Sequence, residues 1–491
     1  MGIHYLQAPI FGNAEQRTML GAGFHNIGRG VLRASDASMV NKIEAHYGER
    51  CGHIPMDAEQ AFLLVETPSA TIERQVAYLA QLFQKELRMT DFAEFACLGR
   101  ERAAEQTLVV PYIHVPEANQ QIRALLGEVE IWGLPASMVH LLKNKASFYA
   151  FADELQLPGF ALPEYTIASV HNLVPASLTL LKEIEELYAQ AGLSAHYPLG
   201  VMLRGAESDG NYGCSLLTMH DGQITIIQDG DALHPITALD WTEALAIARD
   251  QLIATMNLEK EERIVISRFL DLEDSPGMSL VLLNGEVASL GWNGQLQLEG
   301  SKACVGTSSY EPKNNYLSTL QEAGEDETER FFTMLLRQAA VRCNVHFNDI
   351  RGIANLDIML PGPLERHLQQ RLQRPQVPYL AECNPRWTNY TDAILAVLNA
   401  YRRTPTIAAM REVIRQGIFT IDKQFIPVHL DPTLVRTHLS EQDEALGQLG
   451  IKIISRMTHN PMGLILAGER VQARRELDRI IASLASTLDQ D

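Results

Sequence analysis

The sequence predicts an α/β (α+β) chain of several domains, with antiparallel sheet in its middle segment. Three observations carry that expectation. Strand-like apolar runs alternate with helical stretches over residues 1–144, the pattern of a layered α/β domain. Asp221-Gly222 and Asn284-Gly285 each sit between alternating apolar runs; both central positions of a type I′ turn need φ > 0, so these dipeptides are strong hairpin signals. Two late runs, IANLDIML (353–360) and PYLAECNPR (378–386), read as strands although each carries an acid.

Taken in order, 58–87 reads as largely helical, LVVPYIHVP (108–116) as a strand closed by proline, and 117–126 as the following helix. A helix over 146–155 is stopped by Pro158 and Pro163, since proline cannot continue a helical hydrogen-bond ladder. The two hairpins put antiparallel sheet, in two pieces, within 198–300, separated by an amphipathic helix over Trp241–Met256. A helix over 329–343 leads into the acid-bearing strands, and another spans 393–401. The tail offers an extended FIPVHL (425–430), strand-like IKIISRM (451–457) and MGLILAGE (462–469), and a final helix. There Ala473, Leu477, Ile480, Ile481 and Leu484 share one face. These changes of pattern divide the chain into an α/β domain (1–144), a smaller unit (145–235), a larger one (236–402) and a small α/β lobe (403–491).

The 491 residues exceed what one hydrophobic core spans. With 41 Lys+Arg against 60 Asp+Glu the formal charge is −19, and the basic residues of 470–479 are interleaved with acids. Such a chain is repelled by polyphosphate backbones and anionic lipid, so neither nucleic acid nor membrane is expected as a partner. Six scattered cysteines (51, 97, 214, 304, 343, 383) form no CxxC pair, which argues against a disulfide framework. MGIHYLQAPIFGNAEQR lacks the basic and apolar regions of a signal peptide, so a cytoplasmic location is expected.

Three motifs bear on chemistry. GAGFHNIGRG (21–30) lacks GxGxxG spacing and a preceding apolar strand, so it reads as a structural or substrate-adjacent loop rather than a dinucleotide site. RGAESDGNYG (204–213) follows the apolar run PLGVML. It reads either as a plain hairpin loop or as a loop whose backbone N–H groups close over phosphate, with Arg204 adding charge. In the third, Glu382 and Asn384 flank Cys383 near the end of one strand, and Asp357 sits inside another. Residues two apart in a strand share a face, so Glu382 and Asn384 point together, with Arg386 beyond them if the strand continues. Cys383 faces the other way, as a packed core thiol. An oxygen-rich cluster of this kind suits Mg²⁺; a salt-bridged core edge is the plainer alternative.

In this order the residues resemble the ATP-grasp superfamily over about residues 135–400. The segment before would correspond to a pre-ATP-grasp domain, and the tail is similar to the C-terminal lobe of pheganomycin-type peptide ligases. The resemblance implies ATP and Mg²⁺ as cofactors, with Asp357, Glu382 and Asn384 as metal ligands and Lys145 on nucleotide phosphate. It implies that Glu207, Ser208, Gly210, Asn211 and Gly213 belong to the phosphate-closing loop. Ser267, Arg268, Phe269 and Leu270 would read adenine through the backbone, and Asp271 or Glu273 would hold ribose. Arg204, counted with the catalytic residues, would also contact the nucleotide phosphates, and Arg386 would help hold the transferred phosphoryl group or the substrate carboxylate. Two features depart from the family pattern: Ser267-Arg268 replaces a Glu-Glu pair, and Arg204 replaces a lysine.

The activity so implied is an ATP-dependent ligase joining a carboxylate to an amine, of an amino acid or short peptide, through an acylphosphate, with release of ADP and phosphate. The two departures motivate an alternative, a catalytically weak ATP-binding module with a sensing or scaffolding role. The apolar helices of the first domain could host a homodimer interface.

Overall fold

The computed structural model describes residues 2–12, 18–22, 52–54, 60–64, 70–91, 94, 97, 107–156, 158–193, 197–209, 212–232, 234–297, 304–309, 315–421, 432–456 and 463–486. They form three sheets. The first has five parallel strands in the order Leu87–Thr90, Gln60–Leu64, Thr18–Ala22, Thr107–Pro111, Glu130–Ile131. Its Thr107–Pro111 strand is buried throughout, as expected where both faces of a parallel sheet are covered.

Two sequence expectations change here. The 58–87 stretch is a strand, Gln60–Leu64, followed by the helix Ala70–Phe83 and the start of the strand Leu87–Thr90. A run of five residues, apolar after its first, does not distinguish strand from buried helix by periodicity. Gly21 and Ala22 end the strand Thr18–Ala22, so the glycine-rich segment does leave a parallel strand; residues 23–30 and FIPVHL (425–430) lie outside the described residues.

The second sheet is antiparallel, with strands ordered Ile236–Ala238, Gln223–Gln228, Tyr212–His220, Gly200–Asp209, Arg263–Arg268, Tyr165–Ser169. It runs to Arg268, past the boundary expected at 235. Arg263–Arg268 pairs with Tyr165–Ser169 on one side and Gly200–Asp209 on the other. Its Ile264 and Ile266 join the core under the helices Leu173–Ala191 and Trp241–Met256.

The third sheet has nine strands, and Arg351–Pro361 is its hub, pairing with Leu272–Asp274, Gly277–Leu283 and Tyr379–Asn384. The sheet continues through Glu286–Gln297, Cys304–Ser309, Ile418–Ile421, Gly463–Ala467 and Lys452–Arg456. Both hairpins turn as expected, with φ of 50° and 78° at Asp221-Gly222 and 54° and 82° at Asn284-Gly285.

Aromatic packing joins the first sheet to the third. Trp132 stacks on Trp387 at 5.0 Å between centroids and donates its indole N–H to Ile10 O at 2.9 Å. One contiguous apolar core runs from Ile10 across both sheets to Ala467. Among the described residues no helix is long and apolar enough to cross a membrane.

Candidate active site

The acidic pair is built by strand register. Asp357 and Glu382 are Cα partners across the Arg351–Pro361 and Tyr379–Asn384 strands, and Asn355 is the partner of Asn384. Alternation in each strand then places all four side chains on one face. Asn384 Nδ2 donates to Asp357 Oδ2 at 2.9 Å and to Glu382 Oε1 at 3.3 Å, while Asn355 Nδ2 donates to Asp357 Oδ1 at 2.6 Å. Cys383, between the two ligand candidates, is buried on the opposite face.

Behind Asp357 a file of neutral polar side chains crosses the sheet. Asn293 Nδ2 donates to Ser279 Oγ at 3.0 Å and to Asn355 Oδ1 at 2.7 Å, and Ser279 Oγ donates to Asn355 Oδ1 at 3.1 Å. Gly277 makes the convergence possible. A Cβ there would lie 2.5 Å from Asp357 Oδ1, 2.6 Å from Asn293 Oδ1 and 2.7 Å from Asn355 Nδ2. The sequence reading missed this file, although N-L-D at 355–357 shows the same two-residue alternation as E-C-N at 382–384.

Cations approach from the second sheet and from the helix Lys145–Leu155. Asn144 caps that helix by accepting Ser147 N at 3.0 Å, so Lys145 begins the first turn. Its ammonium, 5% exposed, lies 2.8 Å from Glu382 Oε2 and also donates to Ser208 O. Arg204 lies over the Tyr149 ring at 5.0 Å, donates to Tyr149 OH and reaches Ala381 O at 3.3 Å. Its Nε is buried and has no partner among the described residues.

The start of the glycine-rich segment is pinned to the same helix region, because Glu207 accepts Lys143 Nζ at 3.0 Å and Asn144 Nδ2 at 2.5 Å. At its far end Gly213, at φ +73°, donates its N–H to Asp229 Oδ1 at 2.8 Å. Gly210 and Asn211 lie outside the described residues. Arg386, just past the strand, donates from Nη1 to Trp387 O at 3.0 Å and lies near enough to oppose the charge of Asp357.

The electrostatics split the two acids. Burial, then the charge of Glu382, push Asp357 above the usual carboxylate range. Burial also acts to raise Glu382, but the ammonium of Lys145 and the guanidinium of Arg204 hold it well below that range. Two like charges this close favour a shared cation or proton.

The end of the strand Arg263–Arg268, the connection 269–271 and the strand Leu272–Asp274 hold the remaining candidates. Arg268 N donates to Glu164 O at 2.8 Å and Phe269 N to Gly200 O at 2.9 Å. Among the described residues, the backbone N–H and C=O of Leu270 have no hydrogen-bond partner. Neither ribose candidate stands free. Asp271 Oδ2 caps the helix Pro363–Arg371 by accepting Leu364 N at 2.8 Å, and Glu273 pairs with Arg366 at 2.7 Å. The Arg268 side chain turns away into the protein, onto Glu164 and Glu365.

An antiparallel sheet carrying a glycine-rich segment, joined to a larger sheet carrying an acidic strand pair, is the arrangement of the ATP-grasp fold, and this chain has that fold. No protein-family model and no curated protein sequence matches the chain. Solved structures do. N5-carboxyaminoimidazole synthase from Aspergillus clavatus, in complex with ADP and 5-aminoimidazole ribonucleotide, superposes with a TM-score of 0.51 at 13% identity, over 96% of this chain and 99% of that one. A biotin carboxylase nucleotide complex from Campylobacter jejuni gives 0.51 at 11% identity, over 95% and 91%. At such identities the likeness is one of fold.

Proposed function

We propose that the protein is an ATP- and Mg²⁺-dependent ligase that activates a carboxylate by phosphorylation and passes the acyl group to an amine. The observation that carries this is the approach of Lys145 and Arg204 to the strand pair that holds Asp357, Glu382 and Asn384. The residues fit the absent groups. Two carboxylates and an amide form an all-oxygen donor set of the kind Mg²⁺ shares with phosphates, and burial, then the charge of Glu382, make ionisation of Asp357 costly in a way that a divalent cation beside both carboxylates would relieve. The orphaned Nε of Arg204 suits a phosphate oxygen. The free N–H and C=O of Leu270 suit a base edge with one acceptor and one donor.

Bound Mg²⁺ would supply charge neutralisation at the phosphates. Asp357, Glu382 and Asn384 would hold it, with Asn384 turning its amide oxygen inward. Lys145 would exchange its contact with Glu382 for phosphate. Arg204 and Arg386 would stabilise charge on the phosphoryl group as the substrate carboxylate attacks and ADP leaves; the amine then displaces phosphate from the acylphosphate. Residues 205–213, tied down at Glu207, would exclude water from that intermediate. An amino acid or short peptide is the proposed substrate class, on the resemblance to peptide ligases. The test is a panel of carboxylate and amine pairs scored by phosphate release and product mass, with Glu382→Ala as control. ADP should appear only with a matched pair.

One observation favours a second reading, a nucleotide-binding module of weak activity: Lys145 and Arg204 already have partners within the protein. Tight ADP binding without turnover across the whole panel would support it over the ligase.

A further inference from the structure

The connection Phe269–Asp271 is held by a charged cluster in the interior, and no step of the proposed reaction uses that cluster. Arg268, 1% exposed, forks onto the fully buried Glu365, with Nη1 to Oε2 and Nη2 to Oε1 both 2.8 Å. Its Nε donates to Glu164 Oε2 at 2.6 Å, and the guanidinium lies 5.8 Å from the Tyr197 ring and 6.0 Å from the Tyr188 ring. Glu365 also accepts the hydroxyls of Tyr379, at 2.6 Å, and of Tyr197. The Tyr197 oxygen in turn accepts Asp271 N at 2.9 Å. Gly362 N donates to Asp271 O at 2.8 Å.

The turn is thus stitched on both sides to one carboxylate, and that carboxylate stands on the helix Pro363–Arg371, directly after the strand that carries Asp357. Stability alone does not account for the cluster. Apolar residues of similar volume commonly replace a buried ion pair with no loss of stability. A fork, two hydroxyls and a backbone relay instead specify one geometry.

We propose that Arg268 is a positioning residue for the nucleotide: its fork on Glu365, relayed through Tyr197 to Asp271, fixes where Leu270 presents its free backbone groups relative to the Asp357 strand. The inference rests on the nucleotide reading of residues 267–270 given above. Preorganisation of this kind strengthens binding by removing the cost of ordering the turn.

The experiment compares wild type, Tyr197→Phe and the double variant Arg268→Met with Glu365→Met, by urea unfolding and by ADP titration in a calorimeter. The double variant removes both charges of the fork but also takes Arg268 from Glu164, which keeps Arg374, and the acceptor from the Tyr379 hydroxyl, so it should stay folded with a urea midpoint somewhat below wild type. It should bind ADP about tenfold more weakly, a margin that calorimetry resolves. Tyr197→Phe keeps the ion pair and loses only the relay, so its affinity should fall in the same direction by a smaller factor. For both, KM for ATP should rise by a larger factor than kcat falls; a purely structural role would lower the unfolding midpoint and leave ADP affinity and KM unchanged. Should the double variant fail to fold, Tyr197→Phe decides. Folded variants that bind ADP as tightly as wild type overturn the inference while leaving the nucleotide reading intact. A wild-type protein that binds no ADP overturns that reading and the inference with it.

Discussion

Asp357 and Glu382 face each other as register partners, and the amide of Asn384 hydrogen-bonds to both carboxylates. Without a cation the pair is a strained element, since burial and the neighbouring charge both oppose ionisation of Asp357. Asp357→Asn should therefore stabilise the metal-free protein by about 1 kcal/mol. The same change should abolish the additional thermal stabilisation given by MgATP. Scanning calorimetry with and without MgATP checks both halves, and a variant less stable than wild type when metal-free would contradict the first.

Gly277 makes room for this pair from behind. In Gly277→Ala the new methyl would enter the space held by Asp357 Oδ1, Asn293 Oδ1 and Asn355 Nδ2. Overpacking of this kind costs about 1–3 kcal/mol, and here the yielding atom belongs to a proposed metal ligand. Metal dependence should weaken along with stability, with the Mg²⁺ concentration for half-maximal turnover rising. An unchanged Mg²⁺ dependence would place the glycine outside the site.

Arg204 separates the roles of charge and shape. Arg204→Ala should weaken nucleotide binding by about 2 kcal/mol, roughly thirtyfold, the worth of hydrogen bonds to a charged group. Arg204→Lys keeps the charge but loses the fork and the stacking on Tyr149, so it should fall between alanine and wild type. ADP titration orders the three proteins.

Glu164 gives an acid limb to the stability curve. Burial acts to raise its pKa, but the guanidiniums of Arg268 and Arg374 prevail and bring it to about 2, below the ordinary 4.5. A depressed acid contributes stability above its unfolded value and loses it as pH falls through the folded one. Roughly 2 kcal/mol, discounted for partial exposure, should therefore be lost between about pH 5 and pH 2. Glu164→Gln should flatten that limb in urea midpoints measured across this range.

How legible these features are depends on the distance over which each is encoded. The hairpin turns are local: Asp221-Gly222 and Asn284-Gly285 supply the backbone geometry that the turn demands. Glu382 and Asn384 are readable as a shared face because strand alternation is rigid, and an acid inside an apolar run is costly enough to draw notice. Partner choice is not local. Nothing within Arg263–Arg268 indicates that it pairs with Tyr165–Ser169 about a hundred residues earlier, which is why the smaller sheet extends past the expected boundary. Nor could the sequence tell that the Arg268 side chain would turn into the protein interior, because a guanidinium's direction depends on where Glu365 and Tyr197 stand in the assembled fold.

The strand Gly463–Ala467 lies between Ile418–Ile421 and Lys452–Arg456. Both neighbours leave the ribosome before it does. While translation is under way, Ile418–Ile421 can already lie against Cys304–Ser309, yet its outer edge stays unpaired until residue 467 emerges. Lys452–Arg456 has no place in the sheet before then. An unpaired apolar edge is a template for association between nascent chains. A chain stopped after Arg456 should accumulate in the insoluble fraction on sedimentation even though every proposed catalytic residue is present, so late chain growth becomes a checkpoint for solubility rather than for chemistry.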